Sequence, residues 1–118
     1  RGGGAIVYTT SGAAFIGEEE RPCYAMAKSG LNALMRHVAS RWGRHGIRAN
    51  CVAPGFIETQ MTAAVPFAIR EAGRRMNSMG QGGLPVDVAE TIAWMASPAS
   101  QALTGNVVRV CGQSLLGA

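Results

Sequence analysis

The run Ala5-Ile6-Val7-Tyr8-Thr9-Thr10 constrains this chain most. It is apolar and β-branched, which marks a strand. It lacks the alternation of a half-exposed strand, so it suits a parallel strand covered on both faces. Ser11-Gly12-Ala13-Ala14 ends it, and Phe15 to Cys23 reads as a loop holding Glu18, Glu19, Glu20 and Pro22. From Tyr24 to about Arg44 the pattern turns helical. Ala27, Leu31, Leu34, Met35, Val38 and Trp42 recur at spacings of three and four, allowing a buried stripe, and Gly43 and Gly46 mark its end. Ile47 to Val52 is a second strand, stopped by Pro54-Gly55.

Phe56 to Met79 is less regular. Pro66 interrupts it and Gly73 weakens any helix, so one or two short helices are expected there. Gly80, Gly82 and Gly83 form a turn. Val86 to Met95 is a helix expected to face Val86, Ala89, Ile92 and Ala93 inward, with Pro98 beyond its end. Thr104-Gly105-Asn106 is a turn, and Val107 to Cys111 is the last strand before Gly112. Strand, helix, strand, excursion, helix, strand is the order of a parallel α/β layer. Three strands make a thin sheet whose first and last members each show an open edge.

Length bounds the rest. A chain of 118 residues, 47% hydrophobic and 15% charged, holds one small domain with a core and no second one. The net charge of +4 raises the question of nucleic acid, but the positive residues are scattered. The densest stretch, Arg36, Arg41, Arg44 and Arg48 with His37 and His45, reads as a solvated helix face. A nucleic-acid groove would need aromatic stacking platforms, and aromatics are only 6%. Trp42 is the one candidate, and it reads as a packing residue. Cys23, Cys51 and Cys111 lie far apart, with no CxxC or Cys/His cluster, so no metal site is expected. Their odd number points to a reducing compartment, and cytoplasmic location is the expectation. Nothing reads as a signal peptide or a membrane span. Arg1-Gly2-Gly3-Gly4 leads into the first strand without an initiator Met, as a piece of a longer chain would.

Tyr24 and Lys28 stand four apart at the start of a helix and therefore share a face. A phenol is a poor base near neutrality, with a reference pKa of about 10. A positive neighbour favours its ionised form. Such a pair can exchange a proton with an alcohol or a carbonyl. Ser11, at the end of the first strand, can supply a hydroxyl to the same substrate oxygen. Parallel α/β sheets place their sites beyond the carboxyl ends of the strands, where these residues fall.

Order and spacing then carry a resemblance. Ser11 closes an apolar strand; Tyr24-Ala25-Met26-Ala27-Lys28-Ser29-Gly30-Leu31 follows. Next come Gly46-Ile47-Arg48-Ala49-Asn50-Cys51-Val52-Ala53-Pro54-Gly55-Phe56-Ile57-Glu58-Thr59, then Gly83-Leu84-Pro85-Val86-Asp87-Val88-Ala89-Glu90, then Leu103-Thr104-Gly105-Asn106-Val107-Val108. Across nearly its whole length the chain resembles the C-terminal half of a short-chain dehydrogenase/reductase. The resemblance implies an α/β fold: the second half of a Rossmann-type doubly wound parallel sheet, three strands with flanking helices. It implies an oxidoreductase passing hydride between NAD or NADP and a small ketone or secondary alcohol. Ser11 would orient and polarise the substrate oxygen, Tyr24 would be the general acid/base, and Lys28 would assist Tyr24 and hold the nicotinamide ribose. Pro54, Gly55 and Ile57 would contact the nicotinamide end of the cofactor, and Thr59 would reach the amide or the pyrophosphate. Residues 60–79 would form a substrate-binding lid, whose mostly apolar Met61, Ala64, Val65, Phe67, Ile69 and Met76 suggest a lipophilic substrate.

The resemblance also sets expectations about what departs from it. Family members are about twice as long, and their first half holds the glycine-rich cofactor loop. Gly2-Gly3-Gly4 is not that loop, because it precedes a strand instead of following one. The last strand of members often ends Asp-Gly-Gly, where this chain has Cys111-Gly112-Gln113. The full-length protein is expected to be a homodimer or homotetramer, with Met26, Ala33 and Leu34 on the outward side of the long helix covered by a partner. The 118 residues alone are expected to be poorly stable and inactive. The competing reading is a truncated, non-catalytic product or a partner of another subunit.

Overall fold

The computed structural model describes residues 2–16, 20–59 and 66–113. Strand β1 is Gly4–Thr9, helix α1 Ala13–Ile16, helix α2 Pro22–Trp42, strand β2 Ile47–Pro54, helix α3 Phe67–Arg75, helix α4 Pro85–Ala96 and strand β3 Val107–Val110. The three strands form one parallel sheet in the order β1-β2-β3. β1 runs alongside β2 from the pair Gly4–Ile47 to Thr9–Val52, and β3 from Cys51–Val107 to Pro54–Val110. This is the Rossmann-type arrangement expected, with β1 and β3 at the edges of the sheet among the described residues.

β2 holds the centre. Its residues Ala49 to Ala53 are all buried, although successive side chains point to opposite faces. One face carries Ala49 and Cys51, which pack with Met35 of α2; Tyr8, Val38, Ala39 and Val107 close around them. The other face carries Arg48, whose guanidinium reaches the end of α4. Helices thus lie on both faces of the middle strand. Burial pushes the Cys51 thiol above its ordinary range, against a smaller opposite pull from Arg36.

Several sequence expectations change. β1 is mostly exposed rather than covered on both faces, with Ile6 38% accessible. The short α1 runs into the start of the expected loop, and α2 starts two residues early, because Pro22 is suited to the first helical turn where no amide donor is needed. The inner face of α2 is Ala25, Lys28, Leu31, Asn32, Met35, Val38 and Ala39. Ala27, Leu34 and Trp42, placed in the stripe by their hydrophobicity, are exposed; the buried face is turned by the small Ala49 and Cys51 it rests on. Trp42 instead stands 5.5 Å from the His45 ring, with Arg41 5.5 Å from its own ring. On α4 the inner residues are Val88, Thr91, Ile92 and Met95, while Val86, Ala89 and Ala93 are exposed.

Two further corrections bear on the site. β2 continues through Pro54 instead of stopping at Val52. Alternate residues address β3: the Cys51 amide donates to Asn106 O and the Gly55 amide to Val110 O, each at 2.9 Å. The donor that Pro54 lacks therefore falls on the β1 side, past the last β1 pair at Val52, so no ladder bond is lost. Arg48 is not part of a solvated helix face. It lies on β2 and donates to the carbonyls of Met95, Ser97, Ser100 and Leu103 at 2.9–3.3 Å, holding the C-terminal end of α4 to the sheet.

Candidate active site

The carboxyl ends of β1 and β2 lie side by side, because the strands are parallel and the Thr10 amide continues the ladder onto Val52 O at 2.8 Å. Ser11 follows directly. Its Oγ accepts from the Ala13 amide at 3.2 Å, at the foot of α1. The hydroxyl hydrogen is not used in that bond and can serve another oxygen.

α2 delivers its second turn to the end of β1. Thr10 Oγ1 donates to Lys28 O at 3.1 Å, and Lys28 Nζ donates to Thr9 O at 3.1 Å. One residue thus ties the helix to the end of β1 through both its backbone and its side chain. Ser29 adds a bond from Oγ to Ala14 O at 3.2 Å. Tyr24, one turn earlier, is 36% accessible, and Lys28 Nζ stands 5.7 Å from its ring centroid. The spacing of four therefore brings phenol and ammonium to one face, next to the strand end that leads into Ser11.

A second cation was not legible beforehand. The Arg21 guanidinium carbon lies 4.5 Å from the Tyr24 ring centroid. Cation–π contact of this kind favours an ordered ring. The available signal was Arg21 three residues before Tyr24, but Pro22 between them concealed which way the chain turns.

Pro54 and Gly55 sit where β2 ends beside β3. A Cβ on Gly55 would come 2.7 Å from Cys111 Cβ, so only glycine passes there. Ile57 forms a parallel bridge with Gly83; the Gly83 amide donates to Phe56 O at 2.9 Å and the Glu58 amide to Gly83 O at 2.8 Å. A side chain on Gly82 would meet Glu58 Cγ at 2.6 Å and the Phe56 ring at 2.9 Å. The glycine turn is therefore what lets this segment lie flat behind Ile57. Thr59 is exposed at the end of the same segment.

α3 is the one helix described in the excursion, and Gly73 does more than weaken it. A Cβ there would come 3.1 Å from the Phe56 ring, so its absence seats the helix on Phe56. Arg74 Nε donates to Glu58 Oε1 at 3.0 Å, and Nη2 closes onto the same oxygen. Arg74 Nη1 also meets Glu71 Oε2 at 3.1 Å, and Arg75 Nε meets Glu71 Oε1 at 3.3 Å. The hydrogen bond from Arg74 holds the Glu58 carboxyl below the usual glutamate range, and the charges of Arg74 and Arg70 add to it. Beyond α3, the Ser78 amide donates to Gly112 O at 2.9 Å, and Ser78 Oγ donates to Gln113 Oε1 at 2.6 Å. The departure Cys111-Gly112-Gln113 thus anchors the end of the excursion. Of the expected lid residues, Phe67, Ile69 and Met76 are exposed, while Met61, Ala64 and Val65 lie outside the described residues.

A cavity of about 400 Å³ opens between the turn at 79–83, the start of α4 and the end of β3, bordered by Asp87, Thr91 and Cys111. It does not include Ser11, Tyr24 or Lys28, and the chemistry described above lies outside it. Among the described residues no three His, Cys, Asp or Glu side chains gather as a metal site requires. No described helix is long and apolar enough to cross a membrane.

Comparison with known proteins places these features in company. Residues 1–112 match the family model described as enoyl-(acyl carrier protein) reductase. The (3R)-3-hydroxyacyl-CoA dehydrogenase of Homo sapiens is 40% identical over 109 residues, covering 92% of this chain and 42% of that protein. The acetoacetyl-CoA reductase of Synechocystis sp. is 38% identical over 113 residues, covering 95% and 47%. Among solved structures, the angucycline C-6 ketoreductase LanV with bound NADP superimposes with a TM-score of 0.88 at 26% identity, over 98% of this chain and 45% of that one. The chain spans less than half the length of each of these relatives.

Proposed function

Because this chain belongs to the short-chain dehydrogenase/reductase family, we propose that it is the catalytic half of an NAD(P)-dependent oxidoreductase acting on a ketone or secondary alcohol. The observation that carries the reading is Lys28. It stands beside Tyr24 and is fastened to the end of β1 by two hydrogen bonds, where Ser11 follows.

The donor set suits a nicotinamide ribose. An ammonium has three donors, and Lys28 uses one on Thr9 O, leaving others for ribose hydroxyls. Pro54, Gly55, Ile57 and Thr59 line the end of β2 and would border the nicotinamide. The bound nicotinamide supplies hydride transfer at its C4 carbon. In reduction Ser11 Oγ donates to the substrate carbonyl oxygen, and Tyr24 gives that oxygen its phenolic proton. In oxidation Tyr24 takes the alcohol proton back. Lys28 would hold the ribose beside Tyr24 in both directions. Relatives named for hydroxyacyl-CoA and acetoacetyl-CoA substrates support a β-oxygenated acyl thioester as the substrate class. The exposed Phe67, Ile69 and Met76 of the excursion are compatible with its apolar chain.

Tyr24→Phe in the full-length protein tests this. The ring stays and only the proton carrier goes, so turnover should fall by about 10²–10⁴-fold. Cofactor affinity measured by calorimetry should remain near the parent value. Turnover within threefold of the parent would falsify the assignment of Tyr24.

A further inference from the structure

We infer that Arg74 is a positioning residue for the nicotinamide end of the cofactor, acting through Glu58 on the backbone of Ile57 and Thr59. The inference rests on the proposed function, in which that backbone borders the nicotinamide.

Among the described residues, the segment is attached both to the glycine turn and to α3. Behind it, the amides of Gly83 and Glu58 exchange hydrogen bonds across the Ile57–Gly83 bridge. In front of it stands α3. Phe56, before Ile57, is the ring on which Gly73 seats the helix. Glu58, after Ile57, is the carboxylate gripped by the neighbouring residue Arg74. The helix therefore touches the chain on both sides of Ile57 through two adjacent residues of its own. The Arg74 and Glu58 side chains are only 23% and 31% accessible. Glu71 holds Arg74 from its other side, so the guanidinium is oriented as well as paired. Arg74 is the α3 residue that grips the Glu58 carboxylate directly, with the charge of Arg70 on the same helix adding to the attraction, so this contact directs the side chain that follows Ile57.

Position matters here because hydride transfer tolerates little misplacement; about 1 Å can cost about a hundredfold. Glu58 itself has no part in the chemistry, and Arg74 lies on the far side of it. Their effect is on where the cofactor rests, which appears first in its affinity.

The experiment compares Arg74→Ala, Arg74→Lys, Glu58→Arg and the exchanged pair Glu58→Arg with Arg74→Glu in the full-length protein. Cofactor Kd, cofactor KM and kcat are measured, with Tyr24→Phe alongside. Arg74→Ala should raise cofactor Kd and KM about two- to fivefold, the range of a partly exposed ion pair. Arg74→Lys should recover part of the loss, and the exchanged pair should bind cofactor better than Glu58→Arg alone. Unchanged Kd and KM in Arg74→Ala, or an exchanged pair no better than Glu58→Arg, overturns the inference. Should Arg74→Ala fail to fold, Arg74→Lys decides: a Kd and KM equal to the parent's overturns it. These results are separable from a failure of the proposed function, which appears instead as normal turnover in Tyr24→Phe.

Discussion

The platform formed by β1, β2 and α2 and the described parts of the segment from Phe56 to Gly83, which the proposed function brings to one site, are held by different forces. The platform rests on a buried core, Met35 against Ala49 and Cys51, and on hydrogen bonds from Lys28 and Thr10 that use backbone carbonyls. The segment rests on glycines that permit close approach and on partly exposed ion pairs. Dispersion and burial respond weakly to pH and to moderate salt, whereas exposed ion pairs respond to both. The groups proposed for proton transfer thus stand on the part whose core conditions barely move. The residues that would meet cofactor and substrate sit on the part that can adjust. Substrate range in such an arrangement can change without disturbing the chemistry.

This contrast can be broken or sharpened experimentally, beginning with the largest effect. Lys28→Ala removes both the charge beside Tyr24 and the bond to Thr9 O. It should lower kcat/KM by about a hundredfold or more and also weaken cofactor binding. A loss confined to turnover would remove the ribose role. Next, Met35→Ala should destabilise the whole fold by about 2–5 kcal/mol, read from denaturant unfolding. A local change on the segment should not do this: Gly82→Ala forces Glu58 and Phe56 aside and should cost about 1–3 kcal/mol. Amide exchange should then accelerate at residues 56–83 before it does in α2. Uniform acceleration would show the two regions to be one cooperative unit.

The smallest effect is that of pH. The folded-state pKa of Glu58 lies below its unfolded value, so its contribution is present above the ordinary glutamate value of about 4.3. It should be lost progressively as pH falls from there through the lower folded value. Amide exchange of α3, normalised for intrinsic rate, should rise over that window in the parent and not in Glu58→Gln. Equal pH dependence in both proteins would remove Glu58 from the account.

Much of the platform is legible in the sequence, because it is encoded locally. β1, β2 and β3 announce themselves by short apolar runs, and the shared face of Tyr24 and Lys28 follows from helical spacing. The turned face of α2 was not legible, since Leu34 and Trp42 are more hydrophobic than Ala25 and Asn32, which are in fact buried. What buries a helix face is the shape of the opposing strand, and that is not written in the helix. Arg48 looked like one of a basic series because the carbonyls that receive it lie 47 to 55 residues away. Arg74 and Glu58 are sixteen residues apart, with Pro66 between, and no periodicity links them. The catalytic and cofactor roles themselves rest on family resemblance, not on any spacing that physics alone would single out.

The three cysteines form a graded set of chemical clocks. Cys23 is exposed, Cys111 intermediate and Cys51 buried beneath α2. Because burial also keeps the Cys51 thiol protonated, an alkylating reagent finds neither access nor thiolate there until α2 leaves the sheet. At reagent concentrations where alkylation outpaces reclosing, the rate at which Cys51 is alkylated is the frequency with which the core opens, recorded in mass units while Cys23 next to Tyr24 reports the unopened surface of the same molecule.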